Sequence, residues 1–261
     1  MKTKGNGMSK TTINRRNEIT KLILSESTVR VKQLSNMFQV SMETIRKDLD
    51  YLDSTGVLQK THGGASLIND YYQLPVDVKL QENVNAKRFI ARRTLDLIDD
   101  NSVVFLDAGS TTIQLAKLLK IKHGLTIVTN SLIVADIALQ SNQNVICTGG
   151  VAQKRGKCLV GGYAVSLIDT IHIDTIVTGS DGFKGMNGPT TFSLEEVEIR
   201  KHALGNADRK ILICDASKFS KTSTYQFAKF EDYDYIITNE SEQIDENILK
   251  RCKHAIIVKG E

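Results

Sequence analysis

After residue 100 the chain repeats one pattern, in which a short apolar run is followed by a polar loop and a helical stretch. The apolar runs are rich in β-branched residues and cover 103–106, 125–128, 144–147, 174–177, 210–214, 235–237 and 255–258. Short continuous apolar runs are typical of strands that are buried on both faces of a sheet. Because helical stretches separate them, the pattern predicts an α/β domain with a mostly parallel sheet.

The beginning of the chain differs from the rest in charge. Its first 66 residues contain 11 Lys and Arg against 6 Asp and Glu, a net of +5, whereas the remaining 195 contain 23 against 24, a net of −1. An excess of positive charge confined to one segment indicates a nucleic-acid-binding module, with a solvated basic tail as the alternative. We therefore expect a disordered tail over 1–13, a small DNA-binding domain over 14–66, a linker over 67–84 and a larger domain over 85–261.

The small domain has the spacing of three short helices. Apolar residues in the third of these predicted helices, Ile45, Leu49 and Leu52, fall on one face, so the opposite face is polar and basic. Ser41 is a suitable N-cap for this helix, and Gly56 lies where it must end. Helices this short are stable only when they pack on one another.

The polar face of the third helix has the side chains that read the major groove of DNA. Residues 57–65 predict a short strand and a glycine turn, which form a β-wing, although His62 taken alone is equally a surface residue. We expect the acidic residues Asp48, Asp50 and Asp53 to lie off the contact surface. The predicted DNA contacts are Ser41, Met42, Thr44, Arg46, Lys47, Tyr51, Lys60, His62 and Gly63.

Several spaced elements occur in order between Val31 and Ala65, namely VKQLS, FQVSMETIRKDL, GVL and THGGA. Together they resemble the DeoR family of bacterial transcription regulators. This resemblance implies a winged helix-turn-helix in which the VSMETIRKDL segment forms the recognition helix and HGGA closes the wing.

Polar and small residues collect where the predicted strands of the larger domain end. Ligands of parallel sheets bind beyond the carboxyl ends of the strands. The loop 107–112 also leads into a predicted helix, 113–119, whose free N–H groups favour an anion. Such residues end strands in many α/β proteins, so the prediction depends on several such loops sharing one edge. The predicted pocket residues are Asp107, Gly109, Ser110, Thr111, Thr112, Thr129, Asn130, Ser131, Gly149, Gly150, Asp181 and Lys218.

The larger domain also resembles the effector domain of the DeoR family, which is similar to ribose-5-phosphate isomerase and related sugar-phosphate enzymes. The matching pieces are DAGSTT, TNS, TGG, LVGGYA, GSDGF, GPTT, EEVEIRKHAL and CDASKF, so the resemblance covers about residues 14–240. It implies a domain that senses a phosphorylated sugar or a related metabolite. One position departs from the family, which often has lysine where this chain has Arg200, and arginine cannot act as a neutral base near pH 7.

Other kinds of chemistry find no support in the sequence. The chain has no Walker lysine motif and no GxGxxG, and its histidines (His62, His123, His172, His202 and His254) lack metal-ligand spacing. The four cysteines form no CxxC pair, which suits a reducing cytosol, and no apolar run approaches the roughly 18 residues of a membrane helix. We expect a cytoplasmic protein without a cofactor or a bound metal.

Two functions fit these features. The first is a transcription regulator that represses carbohydrate-metabolism genes. We expect it to bind double-stranded operator DNA as a homo-oligomer and to respond to a phosphorylated sugar. The second is a sugar-phosphate isomerase or deaminase-like enzyme with a basic appendage, in which Asp107, Asp181 or Glu195 acts as the base. The regulator is favoured because catalysis gives no reason for a winged helix-turn-helix.

Overall fold

The computed structural model describes residues 10–54, 56, 58–67 and 74–259. The chain divides into two compact units, residues 1–81 and 82–261. Residues 1–9 of the tail predicted over 1–13 lie outside the described residues. So does Val57, the first residue of the predicted wing strand.

The first unit is a winged helix-turn-helix, as the sequence predicted. Its three-stranded antiparallel sheet has the order β1-β3-β2. The first helix begins four residues before the predicted start at residue 14, and the predicted linker contains the one-turn helix α4. The elements are α1 Lys10–Glu26, β1 Thr28–Arg30, α2 Val31–Phe38, α3 Met42–Ser54, β2 Leu58–Thr61, β3 Gly64–Leu67 and α4 Val76–Lys79.

The helices of this unit are held together by one apolar core. Ile19 of α1, Leu34 of α2 and the predicted inward residue Ile45 of α3 are fully buried in it. Val78 of α4 joins the same core, so this part of the predicted linker packs as an element of the DNA-binding unit. Burying these stripes against one another supplies the stability that such short helices lack alone.

The two glycines of the HGGA motif have separate structural roles. Gly63 has φ +83°, which favours glycine, and it forms the turn between β2 and β3. A Cβ on Gly64 would lie 2.0 Å from the carbonyl oxygen of Val29, so only glycine allows β3 to approach β1. The sequence did not predict β1, because three residues are too short to show an alternating pattern.

Asp48 joins the recognition helix to the first helix. Its two carboxylate oxygens accept hydrogen bonds from Nε of Arg15 at 2.6 Å and Nε of Arg16 at 2.7 Å. Asp48 is 1% exposed, so it lies off any contact surface, as expected for it. A buried ion pair costs desolvation energy but is strongly destabilising when one partner is removed.

Replacing this carboxylate tests its structural role. We expect Asp48→Ala to lower the free energy of unfolding of the first unit by about 3 kcal/mol, because two guanidinium groups lose their partner in a buried position. Hydrogen exchange of the buried α3 amides in the full chain measures this change. The matched control, Asp50→Ala, removes an exposed ion pair with Lys60 and should cost at most about 1 kcal/mol. Equal effects of the two variants would contradict the assignment.

The second unit is an α/β domain built on a seven-stranded, fully parallel sheet. The strand order is β14-β13-β11-β9-β4-β5-β6. The elements are α5 Val84–Leu95, β4 Val103–Leu106, α6 Ser110–Ala116, β5 Thr126–Thr129, α7 Leu132–Ala138, β6 Asn144–Cys147, β7 Val151–Gln153, β8 Cys158–Val160, α8 Gly162–Ile168, β9 Ile173–Thr178, β10 Thr190–Thr191, α9 Leu194–Gly205, β11 Ala207–Ile213, β12 Tyr225–Gln226, β13 Tyr235–Asn239, α10 Glu246–Leu249 and β14 His254–Val258.

Each apolar run of the sequence forms a strand of this sheet, which confirms the predicted architecture. Phe105, Ile176 and Leu212, from three neighbouring strands, are fully buried in its core. One predicted boundary was displaced: the helix expected over 113–119 begins at Ser110, because the hydroxyl residues form its first turn. The two short antiparallel pairs, β7-β8 and β10-β12, were missed because strands of two or three residues carry no periodic signal.

Two observations bear on the expectations about membranes and cysteines. No helix in the described part of the chain combines the length and the apolar character needed to cross a bilayer. All four cysteines are free thiols, of which Cys158, Cys214 and Cys252 are buried and Cys147 is exposed.

Candidate DNA-binding and effector sites

The start of the recognition helix α3 presents side chains to solvent. Ser41 precedes the helix, and its Oγ accepts a hydrogen bond from the backbone N–H of Thr44 at 3.2 Å, which confirms it as the N-cap. Met42, Arg46 and Lys47 are exposed, and Thr44 is half-buried. These residues occupy the first turns of the helix, where a major-groove reader makes its base contacts.

Neighbouring groups hold two of the predicted DNA contacts in place. Lys47 Nζ lies 2.9 Å from Oε1 of Glu43, which is one turn earlier on the same helix. The pair is exposed, so a DNA phosphate can replace Glu43 as the partner of Lys47 at little cost in free energy. The Arg16 guanidinium lies 3.9 Å from the centre of the Tyr51 ring. Because Arg16 also bonds to Asp48, the exposed ring of Tyr51 is fixed against the first helix.

The wing, residues 58–67, has its predicted contacts on the surface. Lys60, His62 and Gly63 are exposed, and Lys60 pairs with Asp50 of the recognition helix. The wing and the helix are therefore linked at their exposed side. These positions are compatible with the predicted DNA interface, which stays a prediction.

In the second unit, the predicted pocket residues share one edge of the sheet. We call this the carboxyl edge, the side at which β6, β5, β4, β9 and β11 end. Since these strands are parallel neighbours, the loops that follow them lie side by side in the order 148–150, 129–131, 107–112, 179–182 and 215–218. The topology thus brings together the five loops that the sequence selected.

A buried triad of charged residues, Asp107, Glu196 and Arg200, lies at this edge. Arg200 Nε donates to Asp107 Oδ2 at 2.8 Å, and its Nη2 lies 2.8 Å from Glu196 Oε2. All three residues are at most 4% exposed. The guanidinium carbon also lies 4.8 Å from the centre of the Phe227 ring. Arg200 and Glu196 are one turn apart on α9, so the helix carries both to the end of β4.

Two atoms of the triad have no hydrogen-bond partner among the described residues, although both are buried. These are Asp107 Oδ1, an acceptor, and Arg200 Nη1, a donor. A buried polar atom without a partner costs about 1–3 kcal/mol, and more when the group is charged. The most direct explanation is a ligand or a water that completes both groups.

The charge of Arg200 is permanent. Burial opposes its charged form, but the carboxylates of Asp107, Glu196 and Asp181 outweigh this effect and raise the pKa of the guanidinium above its ordinary value. Arg200 therefore acts as a fixed cation and hydrogen-bond donor. A lysine at this position would have fewer donors and no planar fork to bond both carboxylates.

Three of the predicted pocket hydroxyls are already used by the loops themselves. Thr112 Oγ1 lies 2.6 Å from the carbonyl oxygen of Asp107 and accepts from the N–H of Gly109 at 3.0 Å. Thr129 Oγ1 donates to the carbonyl of Leu106 at 2.6 Å. Ser131 Oγ caps α7 by accepting from the N–H of Val134 at 3.2 Å. These three residues shape the edge and do not need a ligand.

The other predicted pocket residues differ in their exposure and in the hydrogen bonds that they form. In the part of the chain that the structure describes, the Ser110 and Thr111 side chains have no hydrogen-bond partner, and neither does the buried oxygen Asn130 Oδ1. Asp181 is half-buried and Lys218 is 9% exposed. The glycines differ in role: Gly109 caps α6, Gly149 has φ +71°, and Gly150 allows close contact with Val160.

The predicted pocket residues did not include Glu196 or Lys87, and Arg200 was noted only as a departure from the family. The spacing of Glu196 and Arg200, four residues apart, is a signal for an ion pair, but it does not show that the pair is buried. Lys87 is 1% exposed on α5, and its Nζ donates to the carbonyl of Glu82 at 2.7 Å. Nothing in its local sequence distinguishes it from a surface lysine.

His172 lies close to two carboxylates, although the spacing of the histidines in the sequence did not indicate a metal site. The metal-binding atoms of His172, Asp174 and Asp208 lie within 4.8 Å of one another at the amino-terminal edge of the sheet. We assign no ion to this cluster, because its residues are exposed or half-buried and His172 already pairs with Asp208 at 3.0 Å.

Comparison with known proteins finds one family model in each of the two units. The model of the DeoR-like helix-turn-helix domain matches residues 15–70, and that of the DeoR C-terminal sensor domain matches residues 82–240. The chain belongs to the DeoR family of transcription regulators. The HTH-type transcriptional regulator GolR of Listeria innocua is 31% identical over 92% of this chain and 95% of its own length. The lactose phosphotransferase system repressor of Streptococcus mutans is 30% identical over 92% and 96%.

Solved structures resemble this DeoR-family chain more distantly. A D-ribose-5-phosphate isomerase in complex with phospho-erythronic acid has a TM-score of 0.39 and 20% identity, over 51% of this chain and 52% of that one. The initiation factor subunit eIF2B delta of Chaetomium thermophilum has a TM-score of 0.41 and 10% identity over 80% and 64%.

The recognition-helix assignment is tested by removing its exposed basic side chains. We expect Arg46→Ala and Lys47→Ala each to weaken DNA binding by about 1–3 kcal/mol, and loss of a phosphate contact to reduce the salt slope by about 1. Fluorescence anisotropy of a duplex selected from a random pool by the full chain, at two salt concentrations, measures both effects. Lys21→Ala is the control, because Lys21 is exposed on α1 and paired with Glu18. Unchanged affinity in both test variants would rule out the assignment.

Proposed function

We propose that this DeoR-family regulator represses carbohydrate-metabolism genes and that a phosphorylated sugar, bound at the carboxyl edge of the second unit, changes its affinity for operator DNA. Relatives named as repressors of sugar operons support the class of target, among them the lactose phosphotransferase system repressor. The observation that carries the effector proposal is the pair of buried, unpartnered atoms on Asp107 and Arg200.

The chemistry of these two atoms favours a hydroxyl group. Asp107 Oδ1 requires a donor and Arg200 Nη1 requires an acceptor, and they belong to residues that are bonded to each other. A hydroxyl is both donor and acceptor, so a single sugar hydroxyl can satisfy both. A second carboxylate is disfavoured here, because Asp107 and Glu196 already place two negative charges around one guanidinium.

The phosphate of the effector requires donors without negative charge. The Ser110 and Thr111 side chains at the start of α6 provide hydroxyls that have no partner within the described residues. Lys87 is carried by α5, which packs against α6, and Lys218 follows β11 at the same edge. We infer that the hydroxyls and these cations bind the phosphate, while the triad binds the sugar.

The same geometry argues against the enzyme alternative. A general base for isomerisation works best with a pKa near the operating pH. Glu195 is exposed, and hydrogen bonds from its own backbone and from Ser193 lower its pKa. Asp107 is already engaged through Oδ2 in an ion pair with Arg200 Nε at 2.8 Å. We therefore infer that the edge binds its ligand without converting it.

The proposed regulator acts as a homo-oligomer, at least a dimer, in the cytoplasm where its operator is found. Winged helix-turn-helix proteins read two half-sites through a two-fold axis. Several large apolar side chains of the second unit are exposed, including Tyr163 at 84% and Leu139 at 71%, and a second copy can cover them.

The effector proposal is tested by a thermal-shift screen of the full chain with pentose and hexose phosphates. We expect at least one to raise the unfolding temperature, whereas its unphosphorylated sugar and inorganic phosphate do not. The double variant Ser110→Ala, Thr111→Ala should lose this stabilisation, which is about 2.7 kcal/mol when the ligand is at 100 times its Kd.

Thr112→Ala is the matched control for this experiment. It removes a neighbouring hydroxyl that bonds within its own loop, so it should lower the stability of the ligand-free chain but retain stabilisation by the sugar phosphate. The proposal would be refuted if the sugar phosphate stabilised the double variant as much as the wild type. It would also be refuted if no sugar phosphate stabilised the wild type.

A further inference from the structure

The chain passes from the first unit to the second through a short segment that is anchored on both sides. Gln81, the last residue of the first unit, donates from Nε2 to Asn17 Oδ1 of α1 at 3.0 Å. Asn83, the second residue of the second unit, donates from Nδ2 to Asp215 Oδ1 at 2.8 Å. A single residue, Glu82, lies between these two anchoring residues in the sequence.

The anchor in the second unit belongs to the carboxyl edge. Asp215 directly follows β11 and its side chain is buried, with 1% of the residue exposed. Asp215 Oδ1 accepts from both Asn83 and the N–H of Ser217, and Lys218 completes the same loop. Lys87 adds a second connection, because its buried ammonium donates to the carbonyl oxygen of Glu82 at 2.7 Å.

One hydrogen bond and one charge interaction connect this loop with the triad. The N–H of Phe183 donates to the carbonyl of Lys218 at 3.1 Å, which joins the loop after β9 to the loop after β11. The loop after β9 also carries Asp181, whose charge acts on Arg200. A ligand that rearranges Asp181 or Lys218 therefore acts on the loop that holds Asn83.

Asp215 can respond to such a change. Its second oxygen, Oδ2, is buried without a hydrogen-bond partner among the described residues, so it can accept a new donor. Burial opposes its ionised form, but Lys218, Ser217, Lys87 and Asn83 together lower its pKa. Moving Lys218 toward a bound phosphate removes one of these partners and alters the balance of contacts around Asp215.

We propose that the hydrogen bond between Asn83 and Asp215 couples the effector edge to the DNA-binding unit, with Asn83 as a positioning residue. The inference rests on the proposed function, in which the carboxyl edge binds the effector. Asn83 directly precedes α5 and has φ +49°, a conformation that asparagine tolerates better than most residues. In this conformation its side-chain amide bonds to Asp215.

Because coupling is reciprocal, DNA binding must also change the affinity of the effector edge for its ligand. If the Asn83–Asp215 contact carries this coupling, the loop that holds Asp215 responds to DNA, and this response can be measured without knowing the effector. The experiment is amide hydrogen exchange on the full chain, with and without a duplex that the full chain has selected from a random pool. We expect saturating DNA to change the exchange rates of residues 215–219 by about fivefold or more in the wild type.

The test variant is Asn83→Gly, which removes the amide and retains the positive φ. We expect it to bind the duplex within about twofold of the wild type and to reduce the response of residues 215–219 to less than about twofold. The matched control is Asn101→Gly, at an exposed asparagine with φ +56° in the same unit, which should respond as the wild type does. If Asn83→Gly folds poorly, Asn83→Asp removes the donor and predicts the same loss.

A response in Asn83→Gly equal to that of the wild type would overturn the proposal, and so would the absence of any response in the wild type. Neither result depends on a sugar phosphate. Failure of the proposed effector appears separately in the thermal-shift screen, whereas failure of this coupling contact appears only here.

Discussion

The second unit depends on the ion pair between Arg200 and Asp107, which joins α9 to the end of β4 in a place that water barely reaches. Two charges buried at 2.8 Å repay their desolvation only when further hydrogen bonds complete them. Glu196 completes one side of the guanidinium, but Arg200 Nη1 and Asp107 Oδ1 have no hydrogen-bond partner within the part of the chain that the structure describes. The pair that joins α9 to β4 thus also carries the two atoms on which the proposed effector site depends.

The first unit uses the same interaction for a different purpose. Asp48 binds two arginines of α1 and leaves neither of its oxygens without a donor, so this site is complete and structural. The recognition helix is fixed by this contact from behind while Arg46 and Lys47 remain exposed in front. The contrast between a completed and an incomplete buried carboxylate separates the scaffold from the proposed effector site.

Local sequence was sufficient to predict much of this arrangement. The apolar runs identified the strands, and because all of them are parallel, the loops after them had to meet at one edge. What local sequence could not show was which groups are buried: Thr112 and Thr129 look like ligand donors until their hydrogen bonds within the loops are seen. Likewise, Lys87 and Asp215 lie 128 positions apart, and only the fold places both beside the start of the second unit.

The central claim is that one metabolite controls the affinity of this chain for DNA. The most direct test is the Kd of the full chain for its selected duplex, measured by anisotropy with a stabilising sugar phosphate and with the corresponding unphosphorylated sugar. The account predicts that the phosphorylated form changes the Kd by about fivefold or more and that the free sugar leaves it unchanged. An unchanged Kd, with the protein shown to be saturated by the sugar phosphate, would contradict it.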